Sequence, residues 1–294
     1  MRPKLGGCLI IVNTKTLESV PGMGAGFARA LIPSRASQAR MPQHDLRVAD
    51  VKQDVGRLAD YCRVTGFTLR NHVPPTWLHV LTFPLQVHLL GDKDASVRLA
   101  GAIHVSNTMT LHRPVSSQDV LELGVGTTDL RPHRKGALVD LTSRVRVDGE
   151  VAWEGVSTYL AQGMSTPGEV EERERTPFTP VTPQARWRLS ASLGREYRRV
   201  SGDPNPIHTS RIAARGFGFP RPIIHGMWTH ARALAALEGQ LTDSYTAQVD
   251  FLKPIFLPGT VGMVSQRNAE GINVDVTDKR GEKAHLRMQV RPHG

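Results

Sequence analysis

Cysteine is scarce in this chain of 294 residues, which contains only Cys8 and Cys62. So few cysteines argue against a disulfide framework and favour a reducing, cytoplasmic location. No apolar run approaches the roughly 20 residues of a membrane-spanning helix, so we expect no membrane association. The sequence has no His-Glu-x-x-His motif or Cys/His cluster, no Gly-x-Ser-x-Gly elbow and no Walker loop. We therefore expect no metal and no cofactor.

Two segments near the N-terminus look like known motifs but fail their requirements. The Leu-Gly-Gly-Cys sequence at residues 5–8 looks like a lipoprotein cleavage box, yet its apolar run, residues 9–12, follows the cysteine instead of preceding it. The glycines within residues 22–26 follow an Ile/Val segment, but their spacing differs from that of a dinucleotide-binding loop and no downstream acid completes it. We expect neither export nor a bound dinucleotide.

Positive charge is in excess, with a formal net charge of +10 at pH 7 and an isoelectric point of about 10.1. This balance favours anionic partners. Coenzyme A phosphates, an acidic carrier protein and nucleic acid all qualify, and charge alone does not choose among them. With 39% hydrophobic and 22% charged residues, the composition is that of a globular protein with one large or two ordinary domains.

The segment Asp203-Pro-Asn205-Pro-Ile-His208 places a carboxylate, an amide and an imidazole within six residues. Asp203 and Asn205 each precede a proline, which drives their backbone out of the α region. Pro206 suits the first position of a helix, so the sequence predicts a short helix with Asn205 as N-cap that ends at Gly216. Because the prolines break the entry to this helix, Asp203 and His208 can converge on one water, as general acid/base catalysis requires. The same residues also suit an ordinary turn and cap.

A glycine occupies the first turn of the next predicted helix, residues 225–238, which is rich in alanine and leucine. Glycine is a poor helix former, so Gly226 indicates that another group approaches the backbone closely. The free N–H groups of a helix N-terminus can bind an anionic oxygen. Tight packing of the helix against a sheet would explain the same glycine.

Two motifs together resemble those of the type-2 enoyl-CoA hydratases and MaoC-like dehydratases. They are Tyr-x-x-Val-Ser-Gly-Asp-x-Asn-Pro-Ile-His at residues 197–208 and Pro-Ile-Ile-His-Gly-Met at residues 222–227. The resemblance implies a hotdog fold, in which an antiparallel sheet wraps a central helix. It also implies the reversible hydration of trans-2-enoyl thioesters to (R)-3-hydroxyacyl thioesters, with an acyl-CoA or acyl-carrier-protein thioester as substrate and no metal or redox cofactor.

The same resemblance assigns site residues to this chain. It implies that Asp203 and His208 bind and activate the water that adds to the enoyl thioester. Asn205 occupies the family's asparagine position, and Gly226 lies where a helix N-terminus holds the thioester carbonyl. Some members carry a serine eight residues after that glycine, whereas this chain has Leu234 there. That departure puts a serine contribution in doubt and leaves the acid and imidazole untouched.

The chain also contains an internal repeat. Tyr-Cys-Arg-Val-Thr-Gly at residues 61–66 matches Tyr-Arg-Arg-Val-Ser-Gly at residues 197–202, and two weaker matches follow in the same order. The offsets of the three matches lie between 132 and 140 residues. Ordered matches at a nearly constant offset predict two duplicated domains.

The first copy differs from the second where chemistry is expected. Phe67 stands where the second copy has Asp203. If His79 is matched with His225, the distance from the glycine to that histidine is 13 residues in the first copy and 23 in the second. We therefore expect a first copy that lacks the catalytic segment and keeps a packing or substrate-binding role.

Strand patterns follow the helical segment of each copy, with period-two alternation of apolar residues between positions 139 and 147. Residues 163–183 are rich in proline and charge, which is typical of an exposed linker. The order of elements predicts an α+β double hotdog. Its parts are an N-terminal extension (1–45), a degenerate N-terminal hotdog (46–162), a linker (163–185) and a catalytic C-terminal MaoC-like hotdog (186–294).

The sequence thus predicts a hydro-lyase that acts on enoyl thioesters in fatty-acid metabolism. Asp203 and His208 would hold the water, and Asn205 would fix Asp203 or cap the helix. The N–H of Gly226 would stabilise the enolate-like charge of the thioester. A hotdog thioesterase and a non-catalytic acyl-thioester binding protein are the alternatives. A nucleic-acid binder would rest on charge alone, so no nucleic-acid partner is expected, and a homodimer is compatible with the sequence.

Overall fold

The structure is a computed structural model that describes residues 13–22, 25–32, 34–128, 130–171 and 177–293. The lipoprotein-like segment with Cys8 and part of the glycine-rich segment lie outside these ranges. Within them, every helix is too short or too polar to cross a membrane.

The described residues form a sheet of twelve strands and six α-helices, with two short 3₁₀ turns. The strands are β1 Asn13–Leu17, β2 His44–Val51, β3 Ala102–Leu111, β4 Leu121–Thr127, β5 Arg131–His133, β6 Gly136–Val147, β7 Glu150–Gln162, β8 Ala185–Leu189, β9 Tyr245–Phe251, β10 Gly259–Asn268, β11 Gly271–Asp278 and β12 Ala284–Pro292. The helices are α1 Ala25–Ala30, α2 Val55–Thr65, α3 Pro75–Leu90, α4 Leu193–Ser201, α5 Arg211–Gly216 and α6 Gly226–Ala235, and the 3₁₀ turns are Pro206–His208 and Glu238–Gln240.

The strand order is the same in the two halves of the sheet. It runs β2-β4-β6-β7-β3 in the first half and β8-β10-β11-β12-β9 in the second, with β5 and β1 attached to the first half. The halves join where β3 pairs antiparallel with β9, from Ser106 opposite Asp250 to Leu111 opposite Tyr245. Two hotdog sheets therefore merge into one, and the predicted α+β double hotdog is confirmed. Because β2 to β7 and β8 to β12 each build one half, we propose 46–162, 163–185 and 186–294 as the domain boundaries.

One buried helix lies against each half of the sheet. Nearly every residue of α3 is buried, as expected for a helix that is apolar on all sides. Trp77 of α3 and Trp228 of α6 belong to the same core cluster, together with strand residues such as Leu123 and Val274. The two halves therefore share one hydrophobic core.

The repeated Tyr and Gly residues have the same structural role in both copies. Gly66 ends α2 and Gly202 ends α4, each in the left-handed conformation, with φ of 85° and 76°. Tyr61 and Tyr197 point from these two helices into the core, and their ring centroids lie 6.2 Å apart. The repeat seen in the sequence is thus a pair of glycine-capped helices that pack against each other.

The predicted match between His79 and His225 is wrong. His79 is the fifth residue of α3, whereas His225 is the N-cap of α6, and the fifth residue of α6 is His230. The sequence match failed because a proline precedes each histidine by three or four residues, although His225 stands before its helix and His79 lies within it. In the first half, residues 67–74 connect the two helices. In the second half, residues 203–225 make the equivalent connection. The first half lacks the whole segment that carries a 3₁₀ turn and a short helix in the second.

Candidate active site

A cavity of about 390 Å³ is lined by residues of both halves of the molecule. Its lining includes the four residues singled out in the sequence, Asp203, Asn205, His208 and Gly226. Residues of the first half contribute the opposite part of the wall. The structure therefore brings the predicted residues to one space large enough for an acyl group.

The segment after Asn205 differs from the single helix predicted to end at Gly216. A 3₁₀ turn covers Pro206–His208, and α5 begins separately at Arg211. The helix is interrupted because Ser210 acts as a second N-cap, with its Oγ accepting a bond from the Ala213 N–H at 3.2 Å. The next helix is also shorter than predicted, since α6 ends at Ala235.

Asn205 makes two bonds that organise the turn before His208. Its backbone N–H donates to Asp203 Oδ1 at 3.0 Å, and its side-chain Oδ1 accepts a bond from the Ile207 N–H at 3.3 Å. The first bond orients the Asp203 carboxylate and the second caps the 3₁₀ turn. The carboxylate remains about one-fifth exposed and lines the cavity.

The imidazole of His208 is buried and held by a backbone carbonyl. Its Nδ1 lies 2.8 Å from the carbonyl oxygen of Ile223, which can only accept, so Nδ1 carries the proton and Nε2 keeps its lone pair. Burial lowers the pKa of His208, although the charge of Asp203 and the bond to Ile223 act in the opposite direction. A neutral imidazole with a free Nε2 can accept a proton from water.

Gly194 of α4 allows the turn that carries His208 to lie close to this helix. A Cβ placed on Gly194 would lie 2.0 Å from the carbonyl oxygen of His208. The backbone of the His208 turn therefore packs directly on α4, and a side chain at position 194 would displace it.

His225 is a component of the site to which the sequence motifs assigned no role. Its ring stacks on that of His208 with the centroids 3.7 Å apart, and its Nε2 lies 3.8 Å from Asp203 Oδ2. Neither ring nitrogen has a hydrogen-bond partner among the described residues. Burial, and secondly the neighbouring His208, hold the pKa of His225 well below its usual range. A usable signal was present, since histidine stands where a capping residue is usual and makes no cap bond.

The side chains of Asp203, His208 and His225 each offer one ligand atom, and these atoms lie within 4.8 Å of one another. A water between the Asp203 carboxylate and His208 Nε2 could hydrogen-bond to both, since each bond spans about 2.8 Å. Carboxylate and imidazole groups also bind divalent metals, so the cluster suits either a water or an ion by its donor types.

The N-terminus of α6 opens onto the cavity at Gly226. The first N–H groups of a helix have no intrahelical acceptor, and the hydrogen bonds of the described residues include none from the Gly226 N–H. A Cβ on Gly226 would lie 2.9 Å from the ring of Phe251. The close approach expected from the sequence is therefore made by this ring.

Leu234, at the position where some MaoC-like proteins have a serine, is fully buried in the hydrophobic core. It is not part of the cavity lining. Thr229, in the first turn of α6, carries a hydroxyl, lines the cavity and is buried.

Comparisons with known proteins identify relatives over most of the chain. The MaoC like domain family model matches residues 171–287. The chain is 36% identical to 3-hydroxyacyl-thioester dehydratase X of Mycobacterium tuberculosis over 266 residues, which cover 90% of this chain and 95% of that protein. It is 27% identical to the peroxisomal enoyl-CoA hydratase 2 of Arabidopsis thaliana, covering 62% of this chain and 64% of that protein.

Solved structures place the whole architecture in the same group. The crystal structure of HtdX of Mycobacterium tuberculosis has a TM-score of 0.77 and 35% identity, covering 85% of this chain and 100% of that chain. A double-hotdog protein of the same organism, at 12% identity and a TM-score of 0.53, covers 87% of this chain and 96% of that chain and shows the fold alone. The chain belongs to the MaoC-like dehydratase family.

Proposed function

We propose that this protein catalyses the reversible hydration of trans-2-enoyl thioesters to 3-hydroxyacyl thioesters. It is a hydro-lyase of fatty-acid metabolism, and it is similar to a 3-hydroxyacyl-thioester dehydratase and to an enoyl-CoA hydratase 2. The observation that carries the proposal is that the ligand atoms of Asp203 and His208 lie within 4.8 Å of each other, beside the N-terminus of α6 at Gly226, in one acyl-sized cavity.

We propose Asp203 and His208 as the pair that holds the attacking water. The water would donate one hydrogen to the Asp203 carboxylate and the other to His208 Nε2. As its oxygen bonds to C3 of the enoyl group, one of the two acceptors removes its proton, and a proton is returned to C2. Proton transfer of this kind contributes roughly 10²–10⁴-fold to the rate. Dehydration follows the same steps in reverse.

The N–H of Gly226 is proposed to stabilise charge on the substrate. Addition at C3 moves negative charge to the thioester oxygen, and a preorganised donor at the start of α6 lowers the energy of that state. Loss of one such donor typically costs about 3–4 kcal/mol. His225 stacks on His208 and keeps its ring in place, so we propose it as a positioning residue.

We propose an acyl-CoA or an acyl-carrier-protein thioester as the substrate. Both carriers are anionic, and the net charge of this chain is +10. Lys253 is exposed and lines the same cavity, so it offers a cation near the reacting groups. If Lys253 binds a carrier phosphate, Lys253→Glu raises KM and leaves kcat nearly unchanged.

Purified protein incubated with crotonyl-CoA tests the proposal directly. Hydration consumes the enoyl absorbance without releasing thiol. Hydrolysis by a thioesterase would instead release a thiol that reacts with a dye, and a binding protein would give neither signal. We expect loss of the enoyl absorbance alone, unchanged after treatment with EDTA, since the proposed steps require no metal.

A further inference from the structure

Three polar side chains of the first half line the cavity although the proposed reaction does not use them. They are His79 of α3, His104 of β3 and Tyr159 of β7, here called the distal trio. The ring of His104 stacks on that of Tyr159 with centroids 4.5 Å apart, and the ring of His79 lies 6.4 Å from that of His104. Three separate elements of the sheet and helix thus bring polar groups to one part of the wall.

The distal trio has unused hydrogen-bonding capacity. His79 is 3% exposed and Tyr159 is 4% exposed. The Nδ1 of His79 and the Nε2 of His104 are enclosed by protein and have no partner among the described residues. No hydrogen bond of the described residues involves the Tyr159 hydroxyl. Buried polar groups in proteins are almost always hydrogen-bonded. The Tyr159 side chain lines the cavity, so its unpaired hydroxyl indicates that a ligand there completes it.

The two histidines are suited to an uncharged partner. Burial lowers the pKa of His79 to about 4 and holds that of His104 well below its usual range. Near neutral pH each ring is then uncharged, with one donor nitrogen and one acceptor nitrogen. A hydroxyl or a carbonyl can bond to such rings and to a tyrosine hydroxyl, whereas a carboxylate would bring a charge that no cation of the trio offsets.

Apolar side chains surround the trio. Val80, Phe83 and Leu99 line the same cavity, and the ring of Phe83 lies 6.1 Å from that of His79. An apolar pocket with a few convergent polar groups is the usual form of a site that recognises a hydrocarbon with one polar substituent. An unsubstituted alkyl chain would leave the three polar groups unpaired.

Phe251 connects the trio to the proposed reaction centre. Its ring lies 4.9 Å from that of His104, and the same ring lies across Gly226 at the start of α6. The trio is therefore about one aromatic ring beyond the place proposed for the thioester oxygen. The cavity of about 390 Å³ has room for on the order of a dozen non-hydrogen atoms, at about 30 Å³ each.

We infer that the distal trio is a specificity subsite that hydrogen-bonds an uncharged oxygen function, a hydroxyl or a carbonyl, on the acyl chain of the substrate. The inference rests on the proposed function for the thioester itself. It adds that the preferred substrate class is an oxygenated acyl thioester. It also adds that residues of the first half of the molecule recognise the acyl chain.

Calorimetric binding of saturated acyl-CoAs tests the subsite without requiring turnover. The ligands are decanoyl-CoA and a series in which one hydroxyl is moved along the same ten-carbon chain beyond C3, since the 3-hydroxy isomer is the product of the proposed reaction and would bind whatever the trio does. We expect one isomer to bind at least about tenfold more tightly than decanoyl-CoA. Tyr159→Phe, which removes one oxygen atom, and His104→Phe should reduce that ratio to about one or below. Tyr245→Phe is the matched control, since Tyr245 is equally buried but does not line the cavity.

The inference is overturned if no isomer is preferred by the wild-type protein, or if Tyr159→Phe keeps the preference. If His104→Phe fails to fold, Tyr159→Phe and His104→Gln test the inference instead. His104→Gln keeps polar atoms at position 104 but removes the ring. Hydration of crotonyl-CoA, which carries no oxygen on its alkyl chain, reports on the proposed function separately. A protein that does not hydrate crotonyl-CoA but binds one hydroxylated isomer preferentially would refute the first proposal and support this one.

Discussion

The Nδ1 of His208 lies 2.8 Å from the carbonyl oxygen of Ile223, and this contact fixes which ring nitrogen is free. Since a carbonyl only accepts, Nδ1 bears the proton and Nε2 is available to the cavity. The bond also ties the 3₁₀ turn to the segment that leads into α6. The proposed base and the proposed carbonyl-binding N-terminus are thus joined by one hydrogen bond.

The ionisation of His208 provides the first prediction. Burial lowers its pKa, and the Asp203 carboxylate partly opposes that shift. We expect the acid limb of kcat/KM to lie below pH 6.5, because the neutral base persists there. In Asp203→Asn the opposing charge is lost, so the NMR titration of the His208 ring should move to lower pH. A titration that moves to higher pH contradicts the proximity of the two groups.

Gly226→Ala should disturb the start of α6. The added Cβ would lie 2.9 Å from the Phe251 ring. We expect a loss of about 1–3 kcal/mol in the free energy of unfolding and a lower kcat. Phe251→Leu removes the obstructing ring. The double variant should therefore lose less free energy of unfolding than the sum of the losses in the two single variants. Urea denaturation of the four proteins measures this coupling, and strict additivity would contradict it.

Gly194→Ala should impair hydration although position 194 does not line the cavity. Its Cβ would meet the carbonyl oxygen of His208 at 2.0 Å, so the turn must move. A displacement of about 1 Å at a reacting group can cost about 10²-fold in rate. Gly239→Ala is the control, because nothing lies within 4 Å of a Cβ there. Equal kcat values for the two variants would show that α4 does not position His208.

Two buried histidines should make stability depend on pH. Burial lowers the pKa of His79 to about 4 and that of His230 to about 3, from an ordinary value of 6.5. The unfolded chain therefore takes up their protons first as the pH falls, so stability decreases from about pH 6.5 downwards until each folded-state pKa is reached. By pH 5 each histidine accounts for about 2 kcal/mol, at 1.36 kcal/mol per pH unit.

Urea denaturation at pH 7 and pH 5 measures this dependence. His230→Leu should reduce the slope of the unfolding free energy against pH by about one proton, whatever it does to the absolute stability. An unchanged slope would mean that His230 is solvated or protonated in the native state.

Part of the fold followed from the sequence because glycine caps and turns leave local signals. The repeated Tyr and Gly residues mark two helices that end in a left-handed glycine. A glycine at the end of a helical pattern is enough to predict this conformation. The pairing of β3 with β9, which joins the halves, depends on residues about 140 positions apart and has no local signature. The same limit explains why His79 was matched with His225, since only the structure shows where each helix begins.

The residues of the site also fall into two groups, those that one local segment indicates and those that only the fold brings together. Asp203, Asn205 and His208 share one short segment, so proline chemistry and a family motif were enough to indicate them. His225 reaches the site through the fold, and His104 and Tyr159 come from strands of the other half. No sequence period connects such residues. Their contribution became visible only when the rings, the cavity and the unpaired nitrogens could be located.

Hydration of crotonyl-CoA by Asp203→Asn and His208→Gln, each compared with wild type, tests the central claim most directly. Both changes keep the size of the side chain, and circular dichroism with a thermal melt verifies that the fold is intact. We expect each variant to lose at least about 10²-fold in kcat, because the water loses one of its two acceptors. Wild-type rates in either folded variant would show that this acid and this imidazole do not activate the water.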